Sequence, residues 1–363
     1  KPTDIACIDP CMGSGHILIA MFDVLMDIYE SAGYDKREAA FEIVEHNIHG
    51  LDIDQRAYQL AYFAVMMKGR GYNRRFLRGR DGKPEPKVYA IVESNEIKRK
   101  HLQFFGTHLS EMERNLAVMQ IEGLLDTFKD GREYGSILNV GACDWDVLER
   151  FVDDFGTIGQ ISFESVGSEE TQESLRKLVR VARNLRQKYD AVVTNPPYMG
   201  ATGMGAKLSK YVKDNYPDSK SDLFAVFIEK GTEMIKKYGF NCMVTMQSWM
   251  FLSSFEKMRV KLLYSKDVSC LMHMENMVMG IAFGTAVTVI RNCRIENFKG
   301  TYNQIKLCDI VNNKPITFPI TANRYSEVST DNFSKIPGSP VAYWINTQYY
   351  KLFETTTSLI NNM

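Results

Sequence analysis

The sequence predicts an α/β fold in which helices cover both faces of a doubly wound, mostly parallel sheet. Short apolar runs alternate with longer stretches of helical periodicity along most of the chain, which is typical of parallel strands joined by crossover helices. A turn with two glycines lies between the first predicted strand and the first predicted helix, where sheets of this kind hold their ligands. The 363 residues, 45% of them hydrophobic, suffice for a large buried core. This is the Rossmann-like arrangement.

The first half of the chain supplies three predicted strands and three predicted helices. Strands are predicted at residues 5–9, 47–52 and 88–92, and helices at 17–29, 37–46 and 55–68. Asp54 stands directly before the third helix, where an aspartate side chain caps a helix by accepting hydrogen bonds from its first turn. Residues 96–187 follow as a long, mostly helical and highly charged insertion, with a polar stretch near residues 165–171.

The second half of the chain is predicted to complete the sheet. Strands are predicted at residues 189–194, 241–246 and 283–291, and a helix at 224–237. From about residue 299 the alternation fades, so we expect residues 1–298 to form one domain and residues 299–363 to begin a C-terminal region. Because the chain opens almost directly on a core strand, we also expect it to be part of a longer protein.

Composition and residue spacing exclude several classes of protein. No run reaches the roughly 18 apolar residues that a transmembrane helix needs, so we expect no membrane partner. The seven cysteines are scattered, without a CxxC pair or a His/Cys cluster at the spacing of metal ligands. Reduced thiols in a cytoplasmic protein without a bound metal fit this pattern best.

The net charge is zero, but basic residues are concentrated in one stretch of the first half. They are Lys68, Arg70, Arg74, Arg75, Arg78, Arg80, Lys83 and Lys87. Only Asp81 and Glu85 oppose them within that stretch. Such a run holds phosphates in nucleic-acid-binding proteins and is elsewhere a solvated loop. The sequence alone does not choose between these two interpretations.

Residues 9–15, Asp-Pro-Cys-Met-Gly-Ser-Gly, form the glycine turn. Gly13 and Gly15 remove Cβ atoms where the backbone turns tightly and lies against a ligand. Asp52 ends the next strand, where a carboxylate accepts hydrogen bonds from both hydroxyls of a ribose. A dinucleotide site requires a third glycine beside the pyrophosphate, but Ile17 and Leu18 occupy that part of the turn. S-adenosylmethionine, a nucleoside cofactor without pyrophosphate, therefore fits better.

Further residues are predicted to contact this cofactor. Asp9 stands where a carboxylate can face the ammonium group of the amino-acid tail, and the alternative is a turn residue before proline. Glu93 and Asn95 follow the third strand, where they can face the adenine, and the alternative is a polar strand end. The complete predicted set is Asp9, Pro10, Gly13, Gly15, Asp52, Ile53, Glu93, Asn95 and Phe224.

The most informative motif is Asn195-Pro196-Pro197-Tyr198, which follows the apolar strand at 189–194. The exocyclic amine of adenine is a poor nucleophile because its lone pair is delocalised into the ring. The Asn195 side-chain oxygen and the Pro196 carbonyl can accept its two hydrogens, which localises the lone pair for in-line attack on a methyl group. The prolines stiffen the turn. We therefore predict all four residues as catalytic, and the alternative is an ordinary Asx-Pro turn with a surface tyrosine.

Aromatic residues around this motif are predicted to complete the site. Tyr198 offers a ring against which a base flipped out of a DNA duplex can stack. Asp222 is expected to cap the helix that follows it, and Phe224 to pack beside the cofactor. Phe283, just before Gly284, is predicted as a second aromatic wall for the target base.

Several segments resemble the adenine-specific DNA methyltransferases of BREX phage-resistance systems, the PglX family. The similar segments are residues 9–18, 50–54, 195–199, 216–224, 248–256 and 333–340. The order, with the cofactor motif before the catalytic one, resembles that of amino-methyltransferases with the class I S-adenosylmethionine-dependent fold. One departure is Cys11-Met12, where the family usually has Ala-Cys. The family also has an N-terminal region, and a large C-terminal target-recognition region that residues 299–363 at most begin.

The resemblance implies N6-methylation of adenine in host DNA at a non-palindromic site. It implies S-adenosylmethionine as cofactor, double-stranded DNA as substrate and other defence-system proteins as partners. Two alternatives stay open at this point. The same tetrapeptide serves methyltransferases that act on RNA or on protein glutamine, and a non-catalytic DNA- or cofactor-binding subunit of a defence complex could share this fold.

Overall fold

The computed structural model describes residues 1–80, 82–155, 167–312, 314–346 and 348–350. The chain divides between Lys188 and Tyr189 into two compact units, here called the first and second units. Asp81 of the basic stretch, the start of the polar stretch near 165–171 and the end of the predicted C-terminal region lie outside the described residues.

The first unit is built on three parallel strands. They are β1 (Cys7–Asp9), β2 (Ile48–Asp52) and β3 (Lys87–Ala90). β2 pairs with both of the others, so their carboxyl ends lie at one edge. Ile8, Ile48 and Leu51 are fully buried, as expected for strands that are covered on both faces.

Within its described residues, the first unit has seven α-helices. They are α1 (His16–Ser31), α2 (Lys36–Glu42), α3 (Gln55–Tyr72), α4 (Glu111–Thr127), α5 (Gly131–Tyr134), α6 (Trp145–Asp153) and α7 (Ser168–Arg186). The Asp54 side chain accepts hydrogen bonds from the N–H groups of Arg56 and Ala57, which confirms the predicted cap. The helix predicted at 37–46 is confirmed, as α2 continued by a π-helical turn over Ile43–Asn47.

The second unit has a mixed sheet with the strand order β11-β8-β6-β7-β5-β4. The strands are β4 (Tyr189–Thr194), β5 (Ile235–Met246), β6 (Asp267–Met274), β7 (Thr285–Arg291), β8 (Lys299–Ile305) and β11 (Arg324–Ser329). β4–β5 and β6–β8 are parallel pairs, whereas β7 runs antiparallel to both of its neighbours and β11 runs antiparallel to β8. Two short strands, β9 (Ile310–Val311) and β10 (Lys314–Pro315), form a separate antiparallel pair.

The helices of the second unit include one that is shorter than the sequence predicted. They are α8 (Ala206–Asn215), α9 (Leu223–Met234), α10 (Glu256–Ser265) and α11 (Asp331–Ser334). The helix predicted at 224–237 ends at Met234, because Ile235 pairs with Tyr189 in the β4–β5 ladder. Gly239 allows this close pairing, since a Cβ there would lie 2.9 Å from the Asp190 carbonyl oxygen.

The observed elements confirm the α/β class, and α4 to α7 lie within the insertion predicted at 96–187. The predicted boundary at residue 298 stays a prediction, and β8 immediately after it pairs with β6. No helix within the described ranges is long and apolar enough to cross a membrane.

Candidate active site

One carboxylate at the end of β2 holds the glycine turn of the first unit. The Gly13 N–H donates to Asp52 Oδ2 at 2.8 Å, and the Asp54 N–H donates to Asp52 Oδ1 at 2.8 Å. Gly13 adopts a φ of +51°, in the left-handed region that favours glycine. Each carboxylate oxygen has a second lone pair, so the half-buried Asp52 can still accept hydrogen bonds from a ligand.

Gly13 and Gly15 have different surroundings, so the lack of a Cβ has a different consequence at each. A Cβ on Gly15 would lie 3.0 Å from Ala61 Cα, so glycine lets α3 approach the turn closely. A Cβ on Gly13 would meet nothing within 4 Å. The space beside Gly13 and Asp52 is therefore open, as a nucleoside cofactor requires.

Asp9 and Pro10 lie at the root of the same turn. Asp9 is fully buried, and its Oδ1 accepts a hydrogen bond of 3.0 Å from the Cys11 N–H. The Pro10 carbonyl accepts a hydrogen bond of 2.6 Å from the Ser136 hydroxyl. Both residues support the backbone of the turn, and their contact with a cofactor stays a prediction.

Ile53, Glu93 and Asn95 follow the ends of β2 and β3. Ile53 is 55% exposed, so its apolar side chain is available to the face of a ring. The Asn95 amide exchanges two hydrogen bonds with Asp130, at 2.9 and 3.0 Å. Glu93 Oε1 accepts a hydrogen bond from the Arg132 N–H at 3.3 Å. Glu93 and Asn95 also line a cleft of about 460 Å³ in this unit.

The insertion contributes residues that the sequence analysis missed. A Cβ on Gly131 would lie 2.4 Å from the Val92 carbonyl oxygen, and a Cβ on Gly135 would lie 2.8 Å from Ile53 Cγ2. Because these glycines have no Cβ, residues 130–136 pack against the ends of β2 and β3. There the Ser136 hydroxyl donates to the Pro10 carbonyl of the glycine turn. The dipeptides Asp130-Gly131 and Gly135-Ser136 are turn signals inside a stretch of helical pattern. They were the features of the sequence that indicated a break in the helix here.

In the second unit, the tetrapeptide that begins at Asn195 follows β4 directly. Asn195 and Pro197 are exposed, whereas Pro196 is buried. The Tyr198 hydroxyl lies 3.0 Å from Asn195 Oδ1 and 3.1 Å from the Val244 carbonyl oxygen, so its single proton is shared between two acceptors. Burial raises the pKa of Tyr198, which keeps this hydroxyl protonated. The Asn195 side chain is therefore oriented by its neighbour in the motif.

A second carboxylate fixes the chain that follows Tyr198. Asp222 Oδ1 accepts hydrogen bonds from the N–H groups of Met199, at 3.0 Å, and Phe224, at 3.3 Å. The Met199 carbonyl in turn accepts a hydrogen bond of 3.0 Å from the Leu223 N–H. Asp222 therefore caps α9, as predicted, and also joins that helix to the tetrapeptide. Desolvation raises the pKa of Asp222.

Aromatic rings surround Tyr198 within the second unit. Its ring is edge-on to Phe224, with centroids 6.1 Å apart, and to Phe283, at 5.7 Å. Phe224 is fully buried and also contacts Phe255, so it supports the Tyr198 ring from behind. Its predicted contact with the cofactor stays a prediction. Phe283 is half-buried beside Tyr198, as a wall for a target base would be.

Each unit thus has its own set of candidate residues, a nucleoside-type set in the first unit and a tetrapeptide set in the second. Neither set contains a metal centre: in the ranges that the structure describes, no group of three His, Cys, Asp or Glu side chains is arranged to hold an ion.

Residues 46–278 match the model of the Eco57I restriction-modification methylase family. The chain belongs to this family. An adenine-specific methyltransferase PglX of Lacticaseibacillus casei (strain Zhang) is 37% identical over 373 residues, which cover 99% of this chain and 30% of that protein. The adenine-specific methyltransferase BrxX of Escherichia coli O9:H4 (strain HS) is 34% identical, with 97% and 30% coverage. These matches confirm the resemblance to the PglX family, and the chain spans about 30% of the length of both relatives.

A solved structure supports the fold of this Eco57I-family methylase. It is that of a Vibrio vulnificus YJ016 protein assigned as the modification subunit of a type I restriction enzyme. The TM-score is 0.50 at 11% sequence identity, and the match covers 91% of this chain and 52% of that protein. At this identity the likeness concerns the fold alone.

The hydrogen bonds of Asp52 predict how replacing its carboxylate by a neutral amide affects cofactor binding. In an Asp52→Asn variant one backbone N–H loses its acceptor, and we expect the Kd for S-adenosylmethionine to rise about 10- to 100-fold. Asp54→Asn is the matched control, since it removes the same charge two residues away and keeps a good cap. Titration calorimetry measures both, and an equal loss of affinity in the two variants would contradict the assignment.

Proposed function

We propose that this chain is the catalytic core of an S-adenosylmethionine-dependent DNA methyltransferase that methylates N6 of adenine. The observation that carries the proposal is the Asn195 side chain, exposed at the end of β4 and oriented by the Tyr198 hydroxyl. That arrangement presents the Asn195 amide oxygen beside the rigid Pro196 carbonyl. These two acceptors can take the hydrogens of an amine, which makes its nitrogen more nucleophilic. The adenine-specific names of both relatives support the choice of base.

The chemistry follows from the hydrogen bonds that the turn can make. The adenine amine donates its two hydrogens to Asn195 Oδ1 and to the Pro196 carbonyl, and its lone pair becomes localised on nitrogen. Asn195 Oδ1 has two lone pairs, so it can keep the Tyr198 hydrogen bond and accept the amine. S-adenosylmethionine, when bound, supplies an electrophilic methyl carbon on a sulfonium. The N6–C bond forms as the C–S bond breaks, and the nitrogen then releases a proton to water.

Residues of the first unit fit the cofactor. The second lone pairs of Asp52 suit the ribose hydroxyls, the open space beside Gly13 admits the ligand, and the exposed Ile53 side chain suits the adenine face. Glu93 and Asn95 then lie on the side of the adenine, and Asp9 holds the root of the turn.

The relatives also suggest the biological setting. We assign double-stranded DNA as the substrate, a BREX-like phage-defence or restriction-modification system as the context, and other defence proteins as partners. A protein that marks the chromosome of its bacterial host acts in the cytoplasm. A glutamine or RNA target remains the competing chemistry, because a planar amide also presents an NH₂ group to the same acceptors.

An Asn195→Ala variant tests the activity directly. The full-length protein is expressed in a host without adenine methylation, and the genomic DNA is sequenced by a method that detects N6-methyladenine. We expect one methylated motif in the wild type and none in the variant, since alanine cannot accept the amine hydrogen. Unmethylated DNA in both strains would favour a glutamine, RNA or non-catalytic role.

A Tyr198→Phe variant tests the orienting hydrogen bond separately from base stacking. It keeps the ring and removes the hydroxyl, so we expect the single-turnover rate to fall about tenfold. Tyr198→Ala removes the ring as well and should further weaken binding of a DNA whose target base must be flipped. Equal rates for wild type and Tyr198→Phe would show that Asn195 needs no such partner.

Two groups of three cations can be distinguished within the basic stretch at 68–87. One group is engaged within the first unit. Arg80 pairs with Glu38, Glu42 and Glu45, Lys68 pairs with Asp23, and the Lys83 ammonium lies over the Tyr62 ring. These cations stabilise the unit itself.

The other group lies on the loop that contains Phe76. Phe76 is fully buried and stacks on Phe41, and a Cβ on Gly79 would lie 1.2 Å from the Gly82 carbonyl oxygen, so Gly79 packs closely against Gly82. The loop exposes Arg74, Arg75 and Arg78, which form no ion pair with any residue that the structure describes. Arg74 and Arg75 line a cleft of about 1120 Å³. We assign these three arginines to the phosphates of the DNA substrate.

A triple variant, with Arg74, Arg75 and Arg78 changed to Gln, tests this assignment. Each lost phosphate contact should lower the slope of log K against log salt by about 0.9, or roughly 2 to 3 in all. The matched control changes Arg99, Arg150 and Arg176 to Gln, which removes the same charge from arginines that are paired with acids. Fluorescence anisotropy at several salt concentrations measures both, and an equal decrease in the two proteins would contradict a local contact.

A further inference from the structure

A row of three hydrogen-bonded polar side chains lies in the second unit beside the tetrapeptide. They belong to Tyr343, His273 and Gln247, and each is buried or half-buried. His273, on β6, places Nδ1 2.9 Å from the Tyr343 hydroxyl, and its Nε2 is hydrogen-bonded to Gln247 Oε1. Desolvation lowers the pKa of His273 to about 4, so the ring is neutral and carries one N–H. Because an amide oxygen only accepts, that proton lies on Nε2, and Nδ1 accepts the Tyr343 proton.

Gln247, at one end of this row, lies against Gly284, the residue that precedes β7. The Gln247 N–H donates to the Gly284 carbonyl at 3.0 Å. A Cβ on Gly284 would lie 2.3 Å from the Gln247 amide carbon, so the Gln247 side chain lies directly over this glycine. Met246 and Met274 both pair with Thr285, so the Gln247–His273 bond joins the ends of β5 and β6 across the start of β7. Phe283 is the next residue back along the chain.

Tyr343, at the other end of the row, belongs to the segment after α11. Tyr343 is buried, stacks on Tyr302 with centroids 5.2 Å apart, and meets Tyr325 edge-on at 5.2 Å. Nearby, the buried Arg259 donates to the carbonyl oxygens of Ser339 and Trp249, each at 2.8 Å. The segment around Tyr343 is therefore fixed to the loop that follows β5.

We propose that Tyr343, His273 and Gln247 are positioning residues that hold Phe283 beside Tyr198 and so shape the wall of the target-base pocket. The inference rests on the proposed function of that pocket. It makes the segment after residue 338, which follows the predicted domain boundary, a structural part of the target site. None of the three residues touches the reacting atoms; they act through Gly284 and Phe283.

A pair of tyrosine variants tests the inference. Tyr343→Phe removes the hydroxyl that fixes His273, and we expect the single-turnover methylation rate to fall about tenfold. Tyr302→Phe is the matched control, because its stacked, buried hydroxyl makes no hydrogen bond among the described residues. Its rate should equal that of the wild type. Equal rates for the two variants would overturn the inference, whereas Asn195→Ala decides the proposed function.

Substitutions of His273 separate positioning from stability. His273→Leu removes both hydrogen bonds and should lower the rate about 100-fold, whereas His273→Gln keeps a donor for Gln247 and should restore most of it. Rates are normalised to the concentration of folded sites, counted by cofactor binding. With 2-aminopurine in place of the target adenine, the fluorescence change on binding should be smaller for His273→Leu than for His273→Gln. An unchanged fluorescence signal in both would mean that His273 only stabilises the fold.

Discussion

The candidate site depends on one interaction that is made twice, a carboxylate that accepts two backbone N–H groups. Asp52 holds Gly13 and Asp54 in the first unit, and Asp222 holds Met199 and Phe224 in the second. Hydrogen bonds from N–H groups to a carboxylate are stronger than those between neutral groups. Each aspartate therefore fixes a backbone turn whose shape the sequence of the turn alone would leave variable.

This use of carboxylates suits a reaction that needs no general base. In the proposed reaction the amine is oriented and its hydrogens are accepted, and the proton leaves only after the methyl group has been transferred. Asp222 is the carboxylate beside the tetrapeptide, and its hydrogen bonds hold the loop instead of removing a proton. Catalysis in this account comes from geometry, so residues that never touch the substrate, such as Tyr343 and His273, acquire a role through the walls that they position.

Local patterns in the sequence predicted the parts of the structure that depend on neighbouring residues. The glycine turn, the Asp54 and Asp222 caps and the strand before Asn195 are of this kind, since each follows from residues within a few positions of one another. Only the predicted end of the helix at residue 237 was wrong, because pairing of Ile235 with the distant Tyr189 outweighed helical periodicity.

Contacts between distant residues could not be predicted in the same way. Asn95 was placed correctly after β3, but its hydrogen bonds to Asp130 span an insertion whose path no local pattern fixes. The bond between His273 and Tyr343 is likewise invisible in a single sequence, because 70 residues separate them. The basic stretch shows the same limit: the partners of Arg80, Lys68 and Lys83 distinguish cations engaged within the unit from the three arginines that we assign to DNA.

The most direct test of the account identifies the atom that receives the methyl group. Purified full-length protein is incubated with duplex DNA and S-adenosylmethionine that carries a trideuterated methyl group, and the DNA is digested to nucleosides for mass spectrometry. The account predicts N6-(trideuteromethyl)deoxyadenosine as the labelled product, at a yield that Asn195→Ala abolishes. Label found on cytosine, on RNA or on a glutamine side chain in place of adenine would contradict it.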